Sequence, residues 1–387
     1  MRILIIICVF TEILNKSIST DNSNQNQDTE NITLSDFQLN LNAETHLNLF
    51  TIFCTKFNKP YFSLSISETN QISEEFINRF AIFSENIKNL IAHNSDPNRS
   101  FDVKLTQFTD MSKEEVAVQL LDFNLKKIPE LKFLNDVPNQ NSISDSVVFN
   151  NYKNNNNSIN NSDSPFIDWR DKNILNPVRS QGDCGGCWAF SVVGTIEALQ
   201  NIRNKRKNPY LSVQQLIDCD SLDKGCKGGW APNALKYVAR NGLVSESDYA
   251  YSEKSNACRS DLVSDPEKIQ VRIDPSFIRC DEDECKQGEF NYNLLKNGPV
   301  SVVIDAYNTN FYNYKSGFYN EKCAEPNHAV VLVGFGYDEE KKFFYWIIRN
   351  SWGSDWGMDG YGYVKFDEHN YWSCNLGRYG FQPKILN

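Results

Sequence analysis

From Glu74 to Asn94 the segment EEFINRFAIFSENIKNLIAHN spaces Phe76, Phe80, Phe83, Ile87, Leu90 and Ile91 at steps of three and four. That spacing puts them on one face and predicts an amphipathic helix. Glu75 and Arg79 stand one turn apart, where they can pair on its surface. Further on, WAFSVVGTIEALQNIR repeats the helical period through Val192, Val193, Ile196 and Leu199, and predicts a helix opening near Cys187. Its far end carries Arg203, Lys205, Arg206 and Lys207, a basic run that complements the negative helix terminus, before Asn208 and Pro209 stop it. LSVQQLIDC predicts a second, shorter helix. Beyond it VSVVIDAY, HAVVLVGFG and FFYWIIRN are β-branched or alternating runs separated by Gly-rich turns, which predicts strands. Helices first and strands afterwards indicate an α+β protein with a helical lobe and a sheet lobe.

At the start of the chain the apolar run Ile3 to Phe10 follows Arg2 and precedes the small-x-small triplet Ser17-Ile18-Ser19. This reads as a secretory signal over residues 1–19, and the run is about half the ~20 residues that a membrane span needs. No later stretch is long and apolar enough to span. Between residues 135 and 164 the chain becomes mostly Asn, Ser and Asp, too polar to bury the area that would offset ordering. It reads as an exposed, cleavable linker ahead of a folded domain over 165–387. The sequons at Asn156 and Asn160 fall in it, and those at Asn31 and Asn98 lie upstream.

Composition adds two constraints. A length of 387 residues allows two or three domains, and a net charge of −10 without a basic stripe argues against nucleic acid as a partner. Residues 1–164 carry 13 basic and 20 acidic side chains, and residues 165–387 carry 26 and 29, so any docking between the halves rests on apolar contacts. Secretion permits disulfides. Apart from Cys8 in the signal and Cys54, the cysteines are the nine at 184, 187, 219, 226, 258, 280, 285, 323 and 374, an odd number that leaves one free.

The pair in QGDCGGCWAF can be a redox couple, half a zinc site, or neither. Zinc needs a second C-x-x-C or a His pair at ligand spacing, and neither occurs. A redox pair wants the motif after a strand in a βαβ unit, which is not seen here. A nucleophilic cysteine needs a thiolate, a base that also protonates the leaving amine, and oxyanion donors. Cys187 at a helix start has free amides and the helix dipole to lower its pKa. Of the histidines at 46, 93, 328 and 369, the first two precede the linker and His369 sits in the polar loop DEHNYW. His328 opens the strand HAVVLVGFG, where a ring can face a cleft.

CGGCW, with Gly186 where Ser or Ala is usual, is followed by His328 after 141 residues and by Asn350 after another 22, in RNSWGSDWGMDGYG. With LSVQQLIDC and GCKGGW, these motifs span the C-terminal half almost end to end. The chain resembles a papain-family cysteine protease of the cathepsin L-like kind, made as a zymogen. The resemblance implies a papain-like two-lobe α+β fold, with a helical left lobe, a β-barrel-like right lobe and a cleft between, preceded by a helical inhibitory prodomain. It implies Cys187 as nucleophile, His328 as its base, Asn350 orienting His328, Trp352 shielding that bond, and Gln181 donating to the oxyanion. Gly185, Gly186, Gly228 and Gly229 would meet the extended substrate, while Trp230, Ala231, Val303, Ala329 and Tyr379 would line an apolar second subsite. No carboxylate is among these five, which favours bulky apolar substrate residues, and no insertion after GCKGGW caps the cleft, which favours an endopeptidase.

The same resemblance pairs Cys184 with Cys226, Cys219 with Cys258, and Cys323 with Cys374. Cys280 and Cys285, outside the common pattern, would join each other and leave Cys187 free. Within a propeptide over 20–134, residues of about 45–111 resemble the inhibitory domain through Glu75, Arg79, Phe83, Asn86, Leu90 and Asn94. A second prodomain motif matches at Phe108 and Asp110 and departs at Lys104 and Thr106. From about residue 111 the chain would thread the cleft against the substrate direction. No cofactor or metal is implied. The expected partners are polypeptide substrates, the chain's own propeptide and cystatin-like inhibitors, on a monomer in a lysosome, an acidic vacuole or outside the cell. Two other classes stand beside this one: a catalytically silent papain-like binding module and a disulfide oxidoreductase.

Overall fold

The computed structural model describes residues 43–64, 73–118, 166–205, 209–274, 278–280, 294–366, 373–377 and 379–386. The expected signal segment, the Asn-rich linker, the sequons at Asn31, Asn156 and Asn160, Arg206 to Asn208, Cys285 and His369 lie outside these residues. The described residues form two compact units: one runs to Pro97 and takes in Lys104–Met111, the other holds Asn98–Val103 and the chain from Ser112 onward.

In the first unit α1 (Ala43–Lys56), α2 (Pro60–Leu64) and α3 (Glu74–Ser95) share one aromatic core. The α3 positions Phe76, Phe83, Ile87 and Leu90 are buried, and Phe80 and Ile91 pack on the core partly covered. The Phe83 ring lies 4.9 Å from both Phe50 and Phe53. The helix begins where it does because Ser73 Oγ accepts from the Phe76 N–H at 3.1 Å, with Glu74 and Glu75 at the positive end. Its polar face grips the turn that follows. Arg79 donates to the Asp110 carbonyl at 3.3 Å, and Asn86 Nδ2 to those of Thr109 and Met111 at 2.9 and 3.1 Å. Thr106 closes that turn, its N–H donating to Thr109 Oγ1 at 3.0 Å, so the second motif folds despite its departures. Asp110, nearly fully buried, accepts from Lys59 Nζ at 2.8 Å and from the Tyr61 hydroxyl.

The second unit carries α4 (Lys113–Val118), opened by a reciprocal cap in which the Ser112 N–H donates to Glu115 Oε2 and the Glu115 N–H to Ser112 Oγ. Its helical part is α5 (Cys187–Asn204), α6 (Val213–Cys219) and α7 (Ala231–Asn241). Lys205, left-handed at φ 51°, ends α5. Its strands are β1 (Phe101–Val103), β2 (Ile167–Asp168), β3 (Leu243–Val244), β4 (Ile269–Val271), β5 (Ile278–Cys280), β6 (Val300–Ile304), β7 (Tyr314–Tyr319), β8 (His328–Asp338), β9 (Phe343–Arg349), β10 (Tyr361–Lys365) and β11 (Gly380–Gln382). All but β3 and β4 form one sheet in the order β1-β7-β10-β9-β8-β6-β11-β5, with β2 added to β8. The barrel-like lobe expected from the sequence is an open sheet among the described residues: its path ends at β1 and β5, and no ladder joins them.

β8 is the central strand. Its first nine residues are all buried, because β6 pairs with its start, β9 and β2 with its remainder, and α5 packs across it. The helix comes close because Gly194 lacks a side chain, and a Cβ there would lie 3.3 Å from Val331 Cγ2 and Arg349 Nη1. α5 is consequently buried nearly all round, as a core helix is. This packing brings the start of α5 and the start of β8 into one neighbourhood.

Candidate active site

The loop before α5 is tied down at each residue. The Gln181 N–H donates to the Ser351 carbonyl at 2.8 Å, Ser351 Oγ to Gln181 Oε1 at 2.7 Å, and the Tyr251 hydroxyl to the Gln181 carbonyl at 2.7 Å. Gln181 Nε2 donates to the Cys184 carbonyl at 2.9 Å. Cys184 is bonded to Cys226, and the Gly185 N–H meets the Cys226 carbonyl at 2.9 Å. The loop therefore delivers Cys187, unpaired and buried, to the first position of α5. Its sulfur meets the backbone N–H groups of Ala329, Trp188 and Cys187 itself. Ala329 follows His328 in the chain, so the nucleophile candidate and the base candidate are anchored to one point.

His328 pairs across from Ile304 at the end of β6. Its Nε2 is 2.8 Å from Asn350 Oδ1, which also accepts from the Ser351 N–H at 2.8 Å. A carboxamide oxygen only accepts, so Nε2 carries the proton and Nδ1 keeps its lone pair, with no hydrogen-bond partner among the described residues. The Trp352 indole stacks on the ring at 4.6 Å and 26°, inside an aromatic group with Phe311, Tyr312 and Trp356. His328, Asn350 and Trp352 are all buried. Both reactive groups are fully buried in the whole chain, and this reverses an expectation. Burial outweighs the helix-start amides and pushes the Cys187 thiol up to about 12, and it brings the His328 imidazole down to about 4 although Asn350 favours its cation. The thiolate and imidazolium expected of the working enzyme are disfavoured here.

The five residues expected at the second subsite, Trp230, Ala231, Val303, Ala329 and Tyr379, belong to one apolar cluster. Trp230 stands edge-on to Tyr379 at 5.6 Å and to Phe381 at 5.0 Å. Gly229 has no room for a side chain, since a Cβ would lie 2.5 Å from the Trp188 ring, and Gly228 is left-handed at φ 110°. Disulfides also join Cys219 to Cys258 and Cys323 to Cys374. The Cys280–Cys285 pair involves a residue outside those described. A separate cavity of about 20 Å³ includes Ala329 and Asn350 with Arg179, Ser191 and Arg349, and none of the other expected substrate residues lines it.

The sequence profile of the papain family cysteine proteases matches residues 164–383. The chain belongs to the papain family. The cathepsin propeptide inhibitor domain (I29) matches residues 50–116, so this papain-family chain carries its own inhibitory segment. Falcipain-3 of Plasmodium falciparum is 36% identical over 356 residues, covering 89% of this chain and 67% of the relative. Cathepsin R of Mus musculus is 33% identical over 341 residues, 85% and 90% of the two chains. Among solved structures, a recombinant stem bromelain precursor superposes with a TM-score of 0.69 at 26% identity, covering 88% of this chain and 99% of its own. A digestive procathepsin L2 from Tenebrio molitor does so with a TM-score of 0.69 at 28% identity, with the same coverages.

Several residues of this papain-family site escape sequence reasoning. Ser351 and Tyr251 hold Gln181, and Asp223 Oδ1 accepts from the Trp230 N–H at 2.9 Å. Their partners are distant in sequence or are backbone groups, so periodicity carries no trace of them. Among the described residues no group of three His, Cys, Asp or Glu side chains forms a metal ligand set. No described helix is long and apolar enough to cross a membrane.

Proposed function

We propose that this papain-family protease is a secretory-route endopeptidase that cuts peptide bonds through Cys187, His328, Asn350 and Gln181. The thiolate of Cys187 attacks the carbonyl carbon, and the oxygen takes up negative charge facing the Cys187 N–H and Gln181 Nε2. The imidazolium of His328 gives its Nδ1 proton to the departing amine and leaves an acyl-enzyme. A water then surrenders a proton to His328 and displaces the sulfur. Asn350 keeps the ring turned so that Nδ1 does this work throughout. The observation that carries the reading is the 2.8 Å His328–Asn350 bond beneath Trp352, with the amide next to His328 placed on the Cys187 sulfur.

Activation follows from the burial of both groups. While water is excluded the pair stays neutral, and propeptide removal at acid pH, with cleavage in the Asn-rich linker ahead of Phe166, admits water and restores the ion pair. Signal removal near Ser19 sends the chain to an acidic or extracellular compartment, and the Trp230–Tyr379 cluster selects bulky apolar substrate residues. The test is labelling by a thiol-directed epoxide together with peptide hydrolysis, before and after acid processing. Stoichiometric labelling of Cys187 and loss of hydrolysis in Cys187→Ala are expected. A Cys187→Ala chain that still cleaves overturns the assignment, and a labelled wild type that never cleaves identifies a silent binding module.

A further inference from the structure

The turn after α6 sets two acidic side chains against each other. Asp220, 5% exposed, and Asp223 lie close enough for their carboxyl groups to act on each other. The Oδ2 atom of each is buried with no N–H or O–H donor directed at it among the described residues. Two carboxylates are both acceptors and repel each other, whereas a carboxyl that keeps its proton can donate it to the other. The remaining oxygens look outward. Asp220 Oδ1 accepts from the Leu222 N–H at 3.1 Å, and Asp223 Oδ1 accepts from the Trp230 N–H at 2.9 Å and Asn233 Nδ2 at 3.1 Å.

These bonds frame the edge assigned to the substrate. The Lys224 N–H donates to the Gly228 carbonyl at 2.9 Å, so the chain is fastened at Gly228 and at Trp230. Gly229 between them has no room for a side chain, since a Cβ would lie 2.5 Å from the Trp188 indole and 2.9 Å from Asp223 Cβ, and its own N–H and C=O bond to none of the described residues. Trp230 carries the fastening onward to Tyr379 and Phe381.

We propose that Asp223, sharing one proton with Asp220, is a positioning residue that fixes the Gly229–Trp230 edge for an extended peptide. This rests on the reading of that edge as the substrate-binding strand. Arg240 and Tyr237, both on α7, are ionisable groups that act on the pair, Arg240 as a cation that favours the Asp220 carboxylate. Burial first, and the Asp220 charge second, push the Asp223 carboxyl up to about 8. Above that pH the proton leaves and the two charges repel, which strains the turn that holds the Trp230 N–H. Substrate binding then weakens on the alkaline side.

The experiment uses the full chain after propeptide removal, with peptides carrying a bulky apolar residue at the second position before the cut. Wild-type KM is expected to rise between pH 7 and 9. Asp223→Ala should raise KM about tenfold across the range, with kcat and the rate of Cys187 labelling held within about twofold, since it deletes the hydrogen bonds from the Trp230 N–H and Asn233 Nδ2 that fasten this edge. Asp223→Asn and Asp220→Asn put an N–H donor where the shared proton sits. Each should return KM to within about threefold of wild type and remove the alkaline rise. Absence of any cleavage by wild type sinks the catalytic reading. With wild type active, an unchanged KM in Asp223→Ala overturns the positioning role, as does an alkaline rise surviving in both Asn variants. These two variants decide the matter even if Asp223→Ala does not fold.

Discussion

Acidification should destabilise the full chain through His328 by a calculable amount. The buried ring is held near 4, against the ordinary 6.5 it regains when unfolded. Between those values the unfolded chain binds more protons than the folded one, so stability falls as pH falls through that window and levels off below about 4. Between pH 7 and 4.5 the two proton-binding curves separate by roughly sixtyfold in the unfolding constant, or about 2 kcal/mol. The assay is denaturant unfolding of the full chain in a Cys187→Ala background, which prevents self-cleavage, followed by tryptophan fluorescence at a series of pH values. A companion chain also carrying His328→Gln reports every other titrating group. Its loss of stability over the same interval should be smaller by about 2 kcal/mol. Equal slopes in the two chains would refute the reasoning, because they would mean that His328 protonates alike in folded and unfolded states. Nuclear magnetic resonance of the ring gives an independent check, with a midpoint well below the ordinary value in the whole chain.

Asn350→Ala removes the acceptor that selects the Nε2–H tautomer, and kcat/KM of the processed enzyme should fall by about 10 to 100-fold, mostly in kcat, in steady-state assays. Gly229→Ala forces a Cβ to within 2.5 Å of the Trp188 ring, and should cost about 1–3 kcal/mol in thermal melts and raise KM. Gly186→Ala has a different outcome. Its φ of −91° suits any residue and its nearest contact is the flexible Ile217 Cδ1 at 3.1 Å, so a melt should shift by no more than about 1 kcal/mol in either direction. The Gly that departs from the usual family motif is thus tolerated rather than required.

The elements that position the site could be read from periodicity. α3, α5 and α6, and the strands β6, β8 and β9, all lie where the apolar spacing predicts. His328 was legible as a strand opener and Cys187 as a helix opener for the same reason. The roles of Gln181, Asn350 and Trp352, and the three disulfide pairings, came only from resemblance to the family, because nothing local marks them. The sheet order was not legible. β1 joins β7, with Phe101 opposite Gly317 across more than two hundred residues, and a three-residue strand gives no periodic signal. Asp223 carries no signal of its own in the sequence, since its partners are the backbone of Trp230 and the Asn233 side chain at the start of the next helix and its significance depends on a neighbour that also buries a carboxyl.

The thiol of Cys187 shows why local sequence logic gave the wrong sign for this state of the chain. A helix start is worth up to about 2 kcal/mol to an anion in favourable, partly buried geometry. The rise of the thiol from its ordinary value to about 12 corresponds to about 4 kcal/mol against ionisation, and it remains after the amides of Ala329, Trp188 and Cys187 have acted. The larger effect depends on water access and the smaller on covalent neighbours and helix geometry. Admitting water therefore removes the first and leaves the second intact. On the proposed reading, Cys187 needs no displacement of its own to pass from an inert thiol to a nucleophile, and neither does His328, whose bond to Asn350 favours the cation. The switch in reactivity can then be carried entirely by solvent exclusion, around a pair of residues already held in place by the start of α5 and the start of β8.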